Sequence, residues 1–344
     1  MRKLTLIFTL ALAGAAMAQQ PVGFGSTPAA APQKRKEIKD PNEYNAYISA
    51  TQERDEKMKA GLLEKFVQQY PNSVVKVDAL EQLMAAAEKT NDVPMLMEAA
   101  HRVLESDANN LRALALLAYL KRQAVASAKP DEVKKTLAEA AEYAQRGLQA
   151  EQSAVKPDGV TDAEFQSLKT ETSAIFNGVT GFAALQNKDY ASAQQHLQEA
   201  VNANPNNLAD LYPLAVAYLA GWPPAPAKQS TTPSSTGSPA RCSSHDRAAL
   251  AAQATPPASA VLGIWNLVRA ASVSSDAGQK MSILGYGRFL FIKYHGDDEG
   301  WQALTELAAK HTAPPAGFTI RPRPTPAEQA AQMAEKPAKD MGFD

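Results

Sequence analysis

The sequence predicts an all-α chain built from stacked antiparallel helix hairpins, and three observations carry that expectation. Alanine-rich segments interleaved with Leu, Glu, Lys and Gln dominate the chain, a composition with high helix propensity. Runs of alternating β-branched residues, the signature of half-buried strands, hardly occur. Apolar-periodic segments also end repeatedly on similar closing turns: Tyr70-Pro71-Asn72-Ser73, Asp107-Ala108-Asn109-Asn110 and Asn204-Pro205-Asn206-Asn207. Together they predict an α-solenoid, in which each hairpin buries its apolar face against the next.

In chain order, residues 1–18 form a secretory signal. Arg2 and Lys3 supply its charge, Leu4 to Ala15 a short apolar core, and Ala16-Met17-Ala18 a small-x-small cleavage site. The apolar run is shorter than the ~20 residues a membrane span needs, and no later stretch reaches that length. Gln19 rather than a Cys stands directly after the cleavage site, so a lipid anchor is not expected. The mature chain is therefore expected to be exported, periplasmic or secreted, with no integral membrane segment. Residues 19–39, rich in Pro, Ala and Gly and carrying Lys34-Arg35-Lys36, read as a flexible lead-in.

The helical array is expected over 40–220. Asp40-Pro41-Asn42-Glu43 opens it with a capping Asp, a first-turn Pro and a Glu placed to bond back. Glu64 to Ser73 has the shape of a closing turn. Val93 to Leu104, preceded by Asn91-Asp92, reads as the second helix of a hairpin. A third hairpin runs from Leu111 to about Gln149 and breaks at Lys129-Pro130, with Pro130 suited to a helix's first turn. Thr161-Asp162-Ala163-Glu164 caps the next helix.

The segment Ala174 to Asn207, AIFNGVTGFAALQNKDYASAQQHLQEAVNANPNN, is the most specific. Tyr190, Ala193, Leu197, Ala200 and Val201 fall at helical spacing and predict one apolar stripe. Gly181, Ala193 and Ala200 leave room for two helices to approach closely. Asn204-Pro205 ends the second helix, because Pro lacks an N–H and biases Asn204 away from the α region. With Gly181 at the small position of the first helix, Asp189-Tyr190 at the turn, Ala193 and Ala200 at the small positions of the second and Pro205 closing, this segment resembles a tetratricopeptide (TPR) repeat. It departs from that pattern at Asn177, Thr180 and Ala184, where Trp, Leu and Tyr are usual. The segments before it resemble the repeat more loosely, and four hairpins meet the minimum of about three that such units need to bury a continuous core.

Residues 221–259 interrupt what should be a fifth hairpin. The stretch Trp222 to Ser259 contains a single large aliphatic residue, Leu250, and cannot bury enough apolar surface to fold. A natural linker and an out-of-frame stretch of GC-rich coding sequence predict the same composition. Leu208 to Leu219 begins the interrupted hairpin, and Ala260 to Ala271 resumes it. Further helices are expected over Gly278 to Tyr294 and Asp297 to Lys310, completing a C-terminal segment at 260–312. The stretch 313–344 is Pro-rich, with a short helix after Thr325-Pro326-Ala327-Glu328 that is marginal unless docked.

The chemistry in the sequence is sparse. Lys and Arg total 35 against 36 Asp and Glu, for a net charge of −1, which gives no nucleic-acid footprint. The lone Cys242 rules out an internal disulfide. No phosphate loop, dinucleotide fingerprint, nucleophile elbow or zinc-protease helix motif is present, so no catalytic, metal or cofactor site is expected. His295, Asp297, Asp298 and Glu299 read as acids at a helix start. Cys242 with His245 makes only half a metal site, and His101 and His196 read as surface or edge residues.

The TPR resemblance implies a non-catalytic scaffold or adaptor that binds a protein or peptide on the inner face of its first helices. It assigns Ile175, Phe182, Leu185 and Gln186 to that face, and Asp78, Glu81 and Glu88 in the second repeat. The paired Lys and Asn residues with which some family members clamp a terminal carboxylate are lacking. Two other functions compete: a helper in envelope or outer-membrane assembly, and an enzyme with an unrecognised site. The leader carries its own test. Edman sequencing of the exported protein should begin at Gln19, and recovery of Met1 on that material would overturn the assignment.

Overall fold

A computed structural model of the chain describes residues 37–157, 160–220, 222 and 259–322. These residues form α-helices and no strand. The helices are α1 (Pro41–Gln52), α2 (Glu56–Gln69), α3 (Lys76–Lys89), α4 (Val93–Ser106), α5 (Leu111–Val125), α6 (Val133–Ser153), α7 (Asp162–Gln186), α8 (Tyr190–Ala203), α9 (Leu208–Tyr218), α10 (Ser259–Val273), α11 (Ala277–His295) and α12 (Trp301–Lys310). Successive helices pack against one another in hairpins, the all-α solenoid expected from the sequence. The signal segment 1–18, nearly all of the lead-in, residues 223–258 with Cys242, and the 325–335 segment lie outside the described residues. The chain divides into two units, Met1–Asn187 with Gln195–Asn204, and Lys188–Gln194 with Pro205–Asp344.

In the first unit the helix starts follow local capping chemistry. Asp40, Asp55, Asp92, Asn110 and Thr161 each accept a backbone N–H of the first turn. At Thr161 the capping box closes reciprocally, with Glu164 Oε2 2.8 Å from the Thr161 N–H. Pro41 and Val93-Pro94 place prolines in first turns, where a missing N–H is harmless. Burial of Leu63, Phe66, Leu80, Leu83 and Val103 ties α2, α3 and α4 into one core. Each such side chain contributes about 1.5–3 kcal/mol. Helix α5 is buried at every position from Ala113 to Ala118, because it packs on α4, α6 and α7.

Two helix crossings in this unit depend on glycine. A Cβ at Gly147 of α6 would sit 2.2 Å from the ring of Phe176 in α7, which is fully buried and has nowhere to move. A Cβ at Gly181 of α7 would meet Leu197 Cγ at 2.7 Å and the Leu197 backbone nitrogen at 2.9 Å. Between those crossings Asn177 is buried. Its amide donates to the Ser173 carbonyl at 3.0 Å, and its carbonyl oxygen lies 2.8 Å from His196 Nδ1. Asn177 thus forms a polar tie between α7 and α8.

The second unit repeats the device. Gly263 of α10 lies against Leu219, with a Cβ placed 2.5 Å from Leu219 Cγ. Trp265, Ile264, Leu267, Leu211 and Leu214 fill the core. The buried Arg269 donates to the Pro205 carbonyl at 3.3 Å and to Asn206 Oδ1 at 2.5 Å, which anchors the closing turn.

Several expectations change. Tyr190, expected on the buried stripe of α8, is exposed because it opens the helix ahead of the turns that pack, whereas Ala193, Leu197, Ala200 and Val201 are buried. Helix α6 starts at Val133 rather than at Pro130, which stays in the preceding turn, and it continues past Gln149 to Ser153. The last helix starts at Trp301 instead of Asp297, because Gly300 adopts φ +85°, a left-handed conformation outside the helix. Trp222 and Ser259, placed by composition in the insertion, are ordered. Trp222 is buried with its ring edge-on to Tyr294 at 6.0 Å, and Ser259 opens α10. Ile38 of the lead-in packs on the first core. The Pro-rich stretch after Ala313 also packs, through Phe318 against Trp265 at 4.9 Å and the buried Ile320.

The glycines therefore sort by contact. Gly147→Ala and Gly181→Leu should each destabilise by about 1–3 kcal/mol through overpacking, after a gain of up to about 1 kcal/mol in helix propensity. Gly61→Ala in α2, where a Cβ meets nothing within 4 Å, should gain about 0.5–1 kcal/mol. Urea denaturation of the three variants checks the opposite signs. Equal or higher stability for Gly181→Leu would mean that Gly181 does not face Leu197.

Candidate functional site

In the first unit a chain of side-chain contacts runs across α1, α3, α5 and α7. On α1, Tyr47 accepts from Gln82 Nε2 of α3 at 3.3 Å, and its ring packs tilted against that of Phe66 with centroids 5.4 Å apart. Burial, reinforced by the negative charge of Asp78, pushes the Tyr47 phenol up to about 12. On α3, Glu81 is committed to α5. Asn110 Nδ2 donates to it at 2.7 Å and Arg112 Nη1 lies 3.2 Å from its other oxygen. Glu88 is half-buried, and desolvation raises its carboxyl above the usual range, against a smaller opposing effect of Lys89.

On α5, Tyr119 is half-buried. Burial raises its phenol, the Gln123 hydrogen bond and Arg122 oppose that, and the nearby Glu88 charge adds to it. The Arg122 guanidinium covers the Phe182 ring of α7 at 5.0 Å to the centroid, a cation–π contact. Leu185 is half-buried and Gln186 is exposed at the end of α7.

The expected residues thus divide. Asp78, Glu88 and Phe182 belong to this connected face. Glu81 touches it but serves mainly to join α3 to the start of α5. Ile175 packs at the edge of the core between α5, α6 and α7. Sequence reasoning missed Tyr47, Gln82, Tyr119 and Arg122. Tyr119 and Arg122 stand at i and i+3 of α5, a spacing that places them side by side, but the irregular lengths of that hairpin left its inner face unassigned.

The face can hydrogen-bond, stack and present a partly desolvated carboxylate. Concavities in this unit are shallow. One is lined by Ala108, Asn109, Arg146, Gln149, Ala150 and Ser153, and another by Glu151, Lys169, Thr170, Ser173 and Ala203. In the second, burial raises the Glu151 carboxyl although Thr172 donates to it at 2.9 Å. Among the described residues no group of three His, Cys, Asp or Glu side chains is placed to hold a metal ion. The acids after α11 serve the turn. Asp297 accepts the Glu299 N–H at 2.9 Å, and Asp298 pairs with Arg288. No described helix is long and apolar enough to cross a membrane. The chain matches no protein-family model and no curated protein.

Tyr47 provides a pH readout of this face. Its folded value lies above the ordinary 10 of the unfolded chain, so the unfolded state loses its proton first as pH rises. The stability it contributes is complete below about pH 10 and is lost as pH climbs through about 12. Denaturation midpoints measured from pH 9 to 11.5 should fall more steeply for the wild type than for Tyr47→Phe. Parallel slopes would show that Tyr47 is not held away from water.

Proposed function

We propose that this chain is an exported TPR-like scaffold that holds a protein or peptide partner on the connected face of α1, α3, α5 and α7. The observation that carries this reading is the continuity of that face. The Gln82–Tyr47 hydrogen bond joins α3 to α1, the Arg112–Glu81 ion pair joins α5 to α3, and Arg122 over Phe182 joins α5 to α7, so the links run through alternate helices of successive hairpins. Such a surface offers recognition groups spaced along an axis, which suits an extended or helical segment. The half-buried Glu88, and Asp78 nearer the start of the same helix, favour basic residues in that segment. Tyr119 and the Arg122–Phe182 pair supply flat, partly apolar contact area of the kind that anchors interfaces.

The signal sequence supports a partner in the bacterial envelope, and assistance in outer-membrane assembly is one form that this scaffold role could take. An enzymatic role would need several titratable groups converging at one point, whereas Glu88, Tyr119 and Tyr47 are spread across three helices.

Site-specific photocrosslinking in envelope preparations tests the proposal. A photoreactive residue at Tyr119 or Phe182 should give one discrete adduct. The same residue at Lys135, on the exposed side of α6, should give none. Glu88→Gln should reduce the Tyr119 adduct several-fold without changing the melting temperature by more than a few degrees. Equal adducts from Lys135 and Phe182, or none from either inner position, would overturn the reading.

A further inference from the structure

A groove of about 320 Å³ in the first unit is lined by residues of three helices. Glu151 comes from the end of α6, Lys169, Thr170 and Ser173 from α7, and Ala203 from the end of α8. None of them belongs to the face that runs from Tyr47 to Phe182. Four of the five are polar, so the groove suits a polar occupant. Glu151 is fixed by α7. The fully buried Thr172 donates to its Oε1 at 2.9 Å, and Ser173 also hydrogen-bonds the carboxylate. The buried Asn177 donates to the Ser173 hydroxyl at 3.3 Å and meets His196 Nδ1 at 2.8 Å. Ser173 thus receives one hydrogen bond on its oxygen and keeps its own hydrogen for Glu151. The carboxylate ends a chain of hydrogen bonds that starts on α8 and crosses α7.

Burial raises the Glu151 carboxyl, against those two hydroxyls and the charge of Lys169. A carboxylate accepts about four hydrogen bonds, so two hydroxyls leave roughly half of its capacity open. Lys169 supplies the opposite charge. Its ammonium lies 5.8 Å from the Phe165 ring centroid and acts on Glu151, yet the two side chains form no ion pair with each other. The Thr170 hydroxyl donates to the Gln166 carbonyl at 2.9 Å, which leaves its oxygen as an acceptor. Partly desolvated charges are ordinarily paired. Here a carboxylate and an ammonium line one groove without neutralising one another, and a ligand carrying both counter-charges satisfies them together.

We propose that this groove binds a small zwitterion of the amino-acid type, with its ammonium on Glu151 and Thr170 and its carboxylate on Lys169. The three donors of an ammonium match the open acceptors of Glu151 and Thr170, and the Lys169 ammonium answers the ligand carboxylate with a charge-assisted hydrogen bond. Ala203 is the one apolar lining residue and offers a single methyl group, so the site favours a short or polar side chain over a large apolar one. The network through Ser173 and Asn177 pre-orients Glu151, which lowers the cost of ordering it on binding. The site stands whether or not the face of α1, α3, α5 and α7 holds a partner.

Amide NMR of the full-length mature chain, titrated at constant ionic strength with glycine, methylammonium chloride or sodium acetate, tests this. Glycine should shift the amides of Glu151, Lys169 and Ser173 saturably. Methylammonium and acetate should each bind at least about ten-fold more weakly, because each lacks one charge-assisted contact. Glu151→Gln and Lys169→Gln should each weaken glycine binding at least about ten-fold. Ala203→Leu keeps both charges but fills the groove, and should abolish the glycine shifts while the melting temperature stays within a few degrees of the wild type. That variant separates a blocked site from a disturbed fold. No saturable shift with glycine, equal affinity for glycine and methylammonium, or undiminished glycine binding in Lys169→Gln or Ala203→Leu would overturn the proposal.

Discussion

Close helix approach over glycine is the constraint on which the packing of this chain depends. At Gly147, Gly181 and Gly263 an added carbon would collide at 2.2 to 2.7 Å with a buried side chain, of the adjacent helix in the first two cases and of the turn closing α9 in the third. Interiors packed to crystal-like density do not absorb such an insertion without moving backbone. Many of the remaining contacts are made by alanine, which buries little area per residue. Cohesion then comes from the number of close contacts rather than from large side chains. Phe66, Phe176 and Trp265 are the bulkiest of the fully buried side chains, and Phe176 is the one that the Gly147 crossing encloses.

Helix starts were legible in the sequence because capping is a contact between near neighbours. Asp40, Asp92 and Thr161 needed no knowledge of the rest of the fold. Features set by distant residues were not legible. Gly147 lies in a helix whose sequence shows only alanine-rich periodicity, and its role is defined by Phe176, 29 positions away. The exposure of Tyr190 follows from its place at the first position of α8. Trp222 was lost to the composition around it, since a window rich in Pro and Ser hides one aromatic residue that packs on Tyr294.

The candidate face was legible only where a repeat pattern named positions. Asp78, Glu88 and Phe182 were reached that way, and Glu81 was reached without its commitment to Asn110 and Arg112 being visible. Burial raises the phenols of Tyr47 and Tyr119, yet a tyrosine on a helix looks the same in sequence whether its hydroxyl meets water or the protein interior. Arg122 over Phe182 joins residues 60 positions apart, and nothing in local spacing announces that pairing.

The buried Asn177–His196 pair bears on how the chain avoids assembling incorrectly. A stack of similar hairpins offers each helix several near-equivalent partners, and an entirely apolar seam would tolerate exchange among them. A buried amide that loses its partner costs about 1–3 kcal/mol. Docking α7 on any helix that lacks a hydrogen-bonding side chain opposite Asn177 would incur that penalty. The Asn177–His196 contact inside the seam thus acts as an address label, matching α7 to α8.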